Sequence, residues 1–242
     1  FQPAIAQLER DGNALPEGAT LDLGSIRVGG AFAPLTLDVR NNALADAFSE
    51  KLNAIPGALP ASVTVTGGTL RLAPGARAEA AFALHFSGTF ASAGTPSATV
   101  PFAFQTDGFA SSGLAAEALP TQTLQLTGKV FRLASGTLDQ TVLTFPAVRE
   151  GESFPVRTVG VRNAAPGDGL SESLNVLLSA PSDAATLSQA TLDLLAPNAS
   201  DATALKVGLL NSGSAGIKTG TLTVNYFSDG TGTTGAATLH AG

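Results

Sequence analysis

Along this chain, apolar residues recur at every second position in short runs broken by turn residues. Leu35, Leu37 and Val39 alternate with Thr36, Asp38 and Arg40, the period of a strand with one buried face. The alternation returns at Val63/Val65, Leu70/Leu72, Phe82/Leu84/Phe86 and Val100/Phe102/Phe104, then at Leu124, Leu126, Val130 and Phe131. A second series follows at Val159/Val161, Leu192/Leu194, Leu205/Val207/Leu209 and Leu222/Val224/Tyr226. Ala73-Pro74-Gly75, Ala196-Pro197-Asn198, Asp107-Gly108 and Asp229-Gly230 separate the runs with turn chemistry. Short antiparallel strands at this density predict a two-sheet sandwich, and nothing alternates strand with helix in the way a parallel sheet requires.

The two series are copies. Residues 21–54 laid over 143–176 without a gap share 14 identities in 34 positions, among them Arg27/Arg149, Phe32/Phe154, Arg40/Arg162, Asp46/Asp168 and Glu50/Glu172. The offset is 122 positions in a chain of 242, so each copy has the size of one domain with its own core. Residues 45–52 have helical propensity in the first copy, but the second carries Pro166-Gly167-Asp168-Gly169 at that place, which favours a turn followed by a strand in both. The expected organisation is an N-terminal arm and linker over 1–20, a first sandwich over 21–134 and a second over 135–242.

The run Phe104-Gln105-Thr106-Asp107-Gly108-Phe109-Ala110-Ser111-Ser112-Gly113 is followed by Leu124-Gln125-Leu126-Thr127-Gly128-Lys129-Val130-Phe131-Arg132-Leu133-Ala134. Together with the Asn-Ala and Asp-Gly-Leu-Ser-Glu-Ser-Leu-Asn pattern of 163–175, it resembles the bacterial exported repeats called choice-of-anchor D domains. The resemblance covers both copies and implies an all-β chain of two tandem immunoglobulin-like antiparallel β-sandwich domains, akin to the ASH type, in an extracellular or cell-surface protein. Its motifs are turns and strand edges and imply no catalytic residues.

Composition narrows the functions. Thirteen basic against nineteen acidic residues give a net charge of −6, which repels a phosphate backbone and argues against nucleic acid as a partner. No apolar run approaches the roughly 20 residues of a membrane span. Cysteine is absent, which removes disulfides and thiolate chemistry. His85 and His240 are the only histidines, and a zinc site or a Ser-His-Asp arrangement needs more than one isolated imidazole. The glycine-rich stretch at 229–235 has no lysine and no following helix, so it reads as a hairpin loop rather than a phosphate cradle. With no Trp and one Tyr, the flat aromatic platforms of sugar-binding sandwiches are lacking. The chain is therefore expected to be no enzyme and to need no cofactor.

One polar constellation repeats: Arg40 with Asp46 and Glu50, and Arg162 with Asp168 and Glu172. The expected role is bracing, with each arginine bridging to a carboxylate across a strand-turn-strand. The alternative is a Ca²⁺ ion held by Asp46 and Glu50, or by Asp168 and Glu172, although the spacing matches no calcium loop and the arginine competes for the same oxygens.

The ends raise a further expectation. Phe1-Gln2-Pro3-Ala4 carries neither an initiator Met nor a signal region, as in a piece processed from a longer product. Copy two has no counterpart of residues 123–131, so its sandwich is one strand short and lacks the equivalents of Leu124, Leu126 and Val130. Polypeptide beyond 242 would complete it. Alternatively, residues 1–8 of a neighbouring molecule would, with Phe1, Pro3 and Ile5 on one side and Ala4, Ala6 and Leu8 on the other, building a head-to-tail filament. The readings that follow are a stalk, spacer or filament subunit partnered by copies of itself or adjacent repeats, and an adhesin-type module binding through loops at one sandwich end.

Overall fold

The computed structural model describes residues 1–211 and 213–241, and every regular element among them is a β-strand. The chain divides into two compact units, residues 1–91 with 95–129, and residues 130 onward with 92–94. Each is a sandwich of antiparallel sheets, as the alternating pattern predicts.

In unit 1 one sheet contains β1 (Ala6–Arg10), β2 (Asn13–Ala14), β4 (Leu35–Asn41), β6 (Val63–Gly67) and β8 (Arg77–Phe86), in the order β2-β1-β4-β8-β6. The other contains β3 (Thr20–Arg27), β5 (Lys51–Pro56), β7 (Thr69–Leu72), β9 (Ser97–Asp107) and β10 (Glu117–Phe131), in the order β3-β10-β9-β5-β7. Leu8, Leu37, Val39, Phe82, Leu84 and Phe86 meet Leu52, Val100, Phe102, Leu124 and Leu126 across the gap, all buried. Each such side chain contributes about 1.5–3 kcal/mol of transfer free energy. The Phe82 and Phe102 rings stack edge-on at 4.8 Å, an arrangement their quadrupoles favour. The chain changes sheets between β6 and β7 at Gly67, where φ is +93° and a Cβ would lie 2.2 Å from the Ala81 carbonyl oxygen. Only glycine fits that corner.

Unit 2 repeats the plan. β11 (Gly136–Leu138), β12 (Arg157–Asn163), β16 (Ser200–Leu209) and β14 (Ala185–Gln189) form one sheet in that order. β15 (Thr191–Leu195), β13 (Ser173–Ser179), β17 (Thr223–Asp229) and β18 (Leu239–His240) form the other. Leu174, Val176 and Leu178 pack on Val159, Val161, Leu205 and Val207 between them.

Three expectations are corrected. First, residues 1–20 are neither arm nor linker. β1 pairs with β4 through Ala6↔Asn41 and Leu8↔Val39, the register in which β11 pairs with β12 through Gly136↔Asn163 and Leu138↔Val161. Phe1 is therefore the counterpart of Phe131 at an offset of 130, and Ala4 and Leu8 are buried as Ala134 is. The offset falls to 122 because unit 1 carries an extra hairpin around β2, and a gap-free comparison cannot see across it. Second, the boundary lies at 129/130 rather than 134/135, since Ala134 belongs to the core of unit 2. Third, Leu70 and Leu194 point outward. Arg71 and Leu194 adopt positive φ of 57° and 55°, and the bulges there reverse the side-chain phase that alternation assigns.

Candidate functional site

The polar residues shared by both copies gather at one end of each sandwich, where β4 leads to β5 in unit 1 and β12 to β13 in unit 2. Asn41 ends β4 fully buried. Its Nδ2 donates to the carbonyls of Glu50 at 3.1 Å and Leu72 at 3.2 Å, while its Oδ1 accepts the amides of Ile5 and Ala43, both at 3.2 Å. Asn163, equally buried, donates to Glu172 at 3.2 Å and Leu195 at 3.1 Å and accepts from Ser135 and Ala165, both at 3.2 Å. All four bonds of one primary amide are thus used, and they tie β1 or β11 in one sheet to backbone belonging to the other.

Glu50, buried beside β5, accepts the hydroxyls of Ser112 and, at 2.7 Å, Thr106. Thr106 Oγ1 accepts in turn from the Ala4 amide at 2.9 Å. These hydroxyl bonds, Ser112 foremost, hold the Glu50 carboxyl below its ordinary range. In unit 2 Glu172 accepts Ser228 at 2.8 Å and Thr234 at 2.6 Å, and Ser228 accepts from the Ala134 amide at 2.8 Å. Asn53 and Asn175 complete the set, donating to Asp107 at 3.3 Å and Asp229 at 2.8 Å. Their Oδ1 atoms accept the amides of the positive-φ residues Arg71 and Leu194, both at 2.7 Å. The Asp-Gly loops close alike: Asp107 accepts the Phe109 amide at 2.9 Å and Asp229 that of Thr231 at 2.8 Å.

The constellation expected to brace this end is therefore only partly the one that does. Glu50 and Glu172 serve, through hydroxyls. Arg40 does not reach Asp46 or Glu50: it is half-exposed, and its closest carboxylate is Glu9 at 4.0 Å. Arg162 donates to Asn198 Oδ1 at 2.6 Å. Strand alternation places both arginines on the solvent face, opposite the buried asparagines that follow them. Asp46 caps its own turn by accepting the Phe48 amide at 2.9 Å. Asp168 accepts Arg132 at 2.7 Å on each oxygen, which lowers its carboxyl, and Gln2 stands at the Arg132 position in unit 1. Within unit 1 Arg77 bridges two carboxylates, bound to Asp38 and 3.3 Å from Glu9, and Arg71 pairs with Asp107 at 3.4 Å. Replacing Arg40 with Ala is accordingly expected to change unit 1 stability by less than about 0.5 kcal/mol in urea denaturation.

Asp46 and Glu50 turn their oxygens to different donors, as do Asp168 and Glu172, and no group of three or more His, Cys, Asp or Glu clusters as metal ligands among the described residues. His85 lies in β8 with a buried Nδ1 that has no hydrogen-bond partner. The asparagines, the residues that carry most of the bracing, were visible as the repeated Asn of Val-Arg-Asn.

The assembly-arm residues separate in the same way. Leu8 is buried in β1, Phe1 and Ile5 are exposed, and Pro3 lies outside any strand. Phe1 stacks on Phe48 at 6.1 Å, and Gln2 pairs with Ser49. In this structure the arm is engaged within its own unit. Phe1, Leu44, Phe48, Phe109 and Leu114 leave this end of unit 1 with exposed apolar side chains, with the Arg71 guanidinium 3.7 Å above the Phe109 ring.

No protein-family model matches the chain, and no curated protein matches it. Similar solved structures include a protein of unknown function from Porphyromonas gingivalis W83, 11% identical, with 84% of this chain and 82% of that one covered and a TM-score of 0.34. The CsuC–CsuE chaperone–tip adhesion subunit pre-assembly complex from the archaic Csu pili of Acinetobacter baumannii is 10% identical over 87% of this chain and 99% of that one, TM-score 0.31. The E. coli chaperone DraB is 13% identical over 98% of each chain, TM-score 0.31. No helix among the described residues is long and apolar enough to cross a membrane.

Proposed function

We propose that this chain is a structural module of a bacterial cell-surface or extracellular protein, of the choice-of-anchor D kind, serving as stalk, spacer or filament subunit among copies of itself or adjacent repeats. One observation carries the reading: the polar residues that the two copies share are spent inside each sandwich, on backbone and on one another's side chains. Asn41/Asn163, Glu50/Glu172, Asn53/Asn175 and Asp107/Asp229 turn inward to hydrogen bonds that recur partner for partner. A catalytic or ligand-binding constellation presents such groups to a cleft; a load-bearing repeat uses them to hold its loops. Low charge and the absence of cysteine and tryptophan suit the same role.

The adhesin-type alternative rests on the exposed Phe48 and Phe109 loops of unit 1. Their counterparts in unit 2 are Leu170 and Thr231, so this surface has diverged, as a binding surface would. Probing the immobilised protein with arrayed glycans and matrix proteins separates the two. The spacer reading expects no saturable binding. Saturable binding lost in the Phe48→Ser, Phe109→Ser double variant would replace it with the adhesive one.

A further inference from the structure

The two sandwiches differ most along one edge of one sheet. In unit 1, β10 lies between β3 and β9, with Leu124 opposite Val100 and Leu126 opposite Ala98. Both leucines are fully buried. Gly128 follows on the same face, and a Cβ there would lie 2.6 Å from the Phe32 ring, so the strand is glycine where that ring crosses it. In unit 2, among the described residues, the partners at this edge are β18, residues 239–240, and Ala241, whose amide donates to the Tyr226 carbonyl at 2.8 Å; β18 pairs in the β10 register, with Leu239 facing Ser228 as Glu117 faces Thr106.

Beyond β18 the two sheets part around an open groove of about 690 Å³, lined by Leu138, Leu143, Phe145, Leu222, Val224 and Tyr226 among others. The counterparts of Leu222, Val224 and Tyr226 in unit 1 are Val100, Phe102 and Phe104, all buried; here the three are only partly covered. β17 is also four residues shorter at its start than β9, and residues 142–149, the counterpart of β3, form no strand. The loss of regular structure thus coincides with the stretch that β10 organises in unit 1.

We propose that this groove is an acceptor site for one extended polypeptide strand of the β10 type, running antiparallel to β17 in line with β18. The strand carries aliphatic side chains at positions i and i+2 and glycine at i+4, the last to pass Phe154 as Gly128 passes Phe32. An apolar wall and an unpaired strand edge lie side by side, and only a peptide strand satisfies both. A hydrocarbon would fill the groove and leave the edge amides of β17 without partners. Edge-to-edge pairing with β17 of a second copy has only residues 223–225 to use, because β18 covers Phe227 and Ser228 and Ala241 bonds the Tyr226 carbonyl, and so short a ladder is a poor interface. The inference does not rest on the spacer reading, since stalk and adhesin alike can take up a strand.

Tyr226 is the only tyrosine of a chain without tryptophan, so intrinsic fluorescence reads the groove directly. The test adds a synthetic peptide of sequence 122–129, which contains no tyrosine, to the full chain. A saturable change in tyrosine emission is expected, with strand-type protection of residues 142–149 appearing in hydrogen exchange. A peptide with both leucines replaced by Asp should bind at least about tenfold more weakly, and a Val224→Lys protein that keeps its circular dichroism should not respond. If that variant fails to fold, the peptide series alone decides. The proposal is overturned by no saturable response, by a scrambled peptide binding equally well, or by light scattering that shows a dimer whose edge the peptide cannot displace.

Discussion

Replacing Asn163 with Leu is expected to destabilise unit 2 by about 3–5 kcal/mol, and Asn41→Leu to do the same to unit 1. Leucine keeps the branched four-atom shape with bulkier methyl ends, so no cavity term enters and slight overpacking only adds to the cost. The cost is polar. Without the side-chain amide, the Ser135 and Ala165 N–H groups and the Glu172 and Leu195 carbonyls lose a partner at a position closed to solvent. Each stranded group costs about 1–3 kcal/mol, less where backbone can shift toward water. Asn163→Asp keeps the acceptor, removes both donors and brings a negative charge against two carbonyl oxygens, so it should be no better at neutral pH. Chemical denaturation followed by unit-resolved hydrogen exchange measures the effect. A loss below about 1 kcal/mol would show that water enters and replaces the amide.

Acid should weaken unit 1 through Glu50, and Glu50→Leu should cost about 2–4 kcal/mol at neutral pH by stranding the Thr106 and Ser112 hydroxyls that now donate to it. Folding lowers the Glu50 carboxyl, first through Ser112 and then Thr106. The unfolded chain therefore takes up the proton before the folded one. The stabilisation is complete above the ordinary glutamate range, near pH 4.3, and is lost as pH falls from there through the lower folded value. Asp38, lowered chiefly by the bond from Arg77, titrates in the same direction. Glu50→Gln keeps the shape and can still bond to hydroxyls that turn to accept, so it should lose less at pH 7 and show a shallower fall between about pH 5 and 3. An acid limb as steep as that of the wild-type protein would assign the dependence to the aspartates.

Local pattern determined a good deal by itself. Period-two alternation, glycine and proline punctuation and the repeat at 122 are enough to require paired antiparallel sheets in two copies, because a strand buried on one face can be written in no other way. Copy two also resolved the helix-or-turn ambiguity at 45–52, since backbone propensities of Pro and Gly act locally. What tertiary structure decided lies wherever a residue's role depends on the distant chain it meets. Val-Arg-Asn marks both a charged and a neutral candidate. Only the sheet geometry shows that Arg40 faces water while Asn41 faces four backbone groups from segments up to 36 positions away. Residues 1–10 carry too little pattern to be told from a linker until β4 accepts them as its neighbour. The phase reversals at Arg71 and Leu194 come from bulges, and these depend on the register between strands rather than on either strand alone.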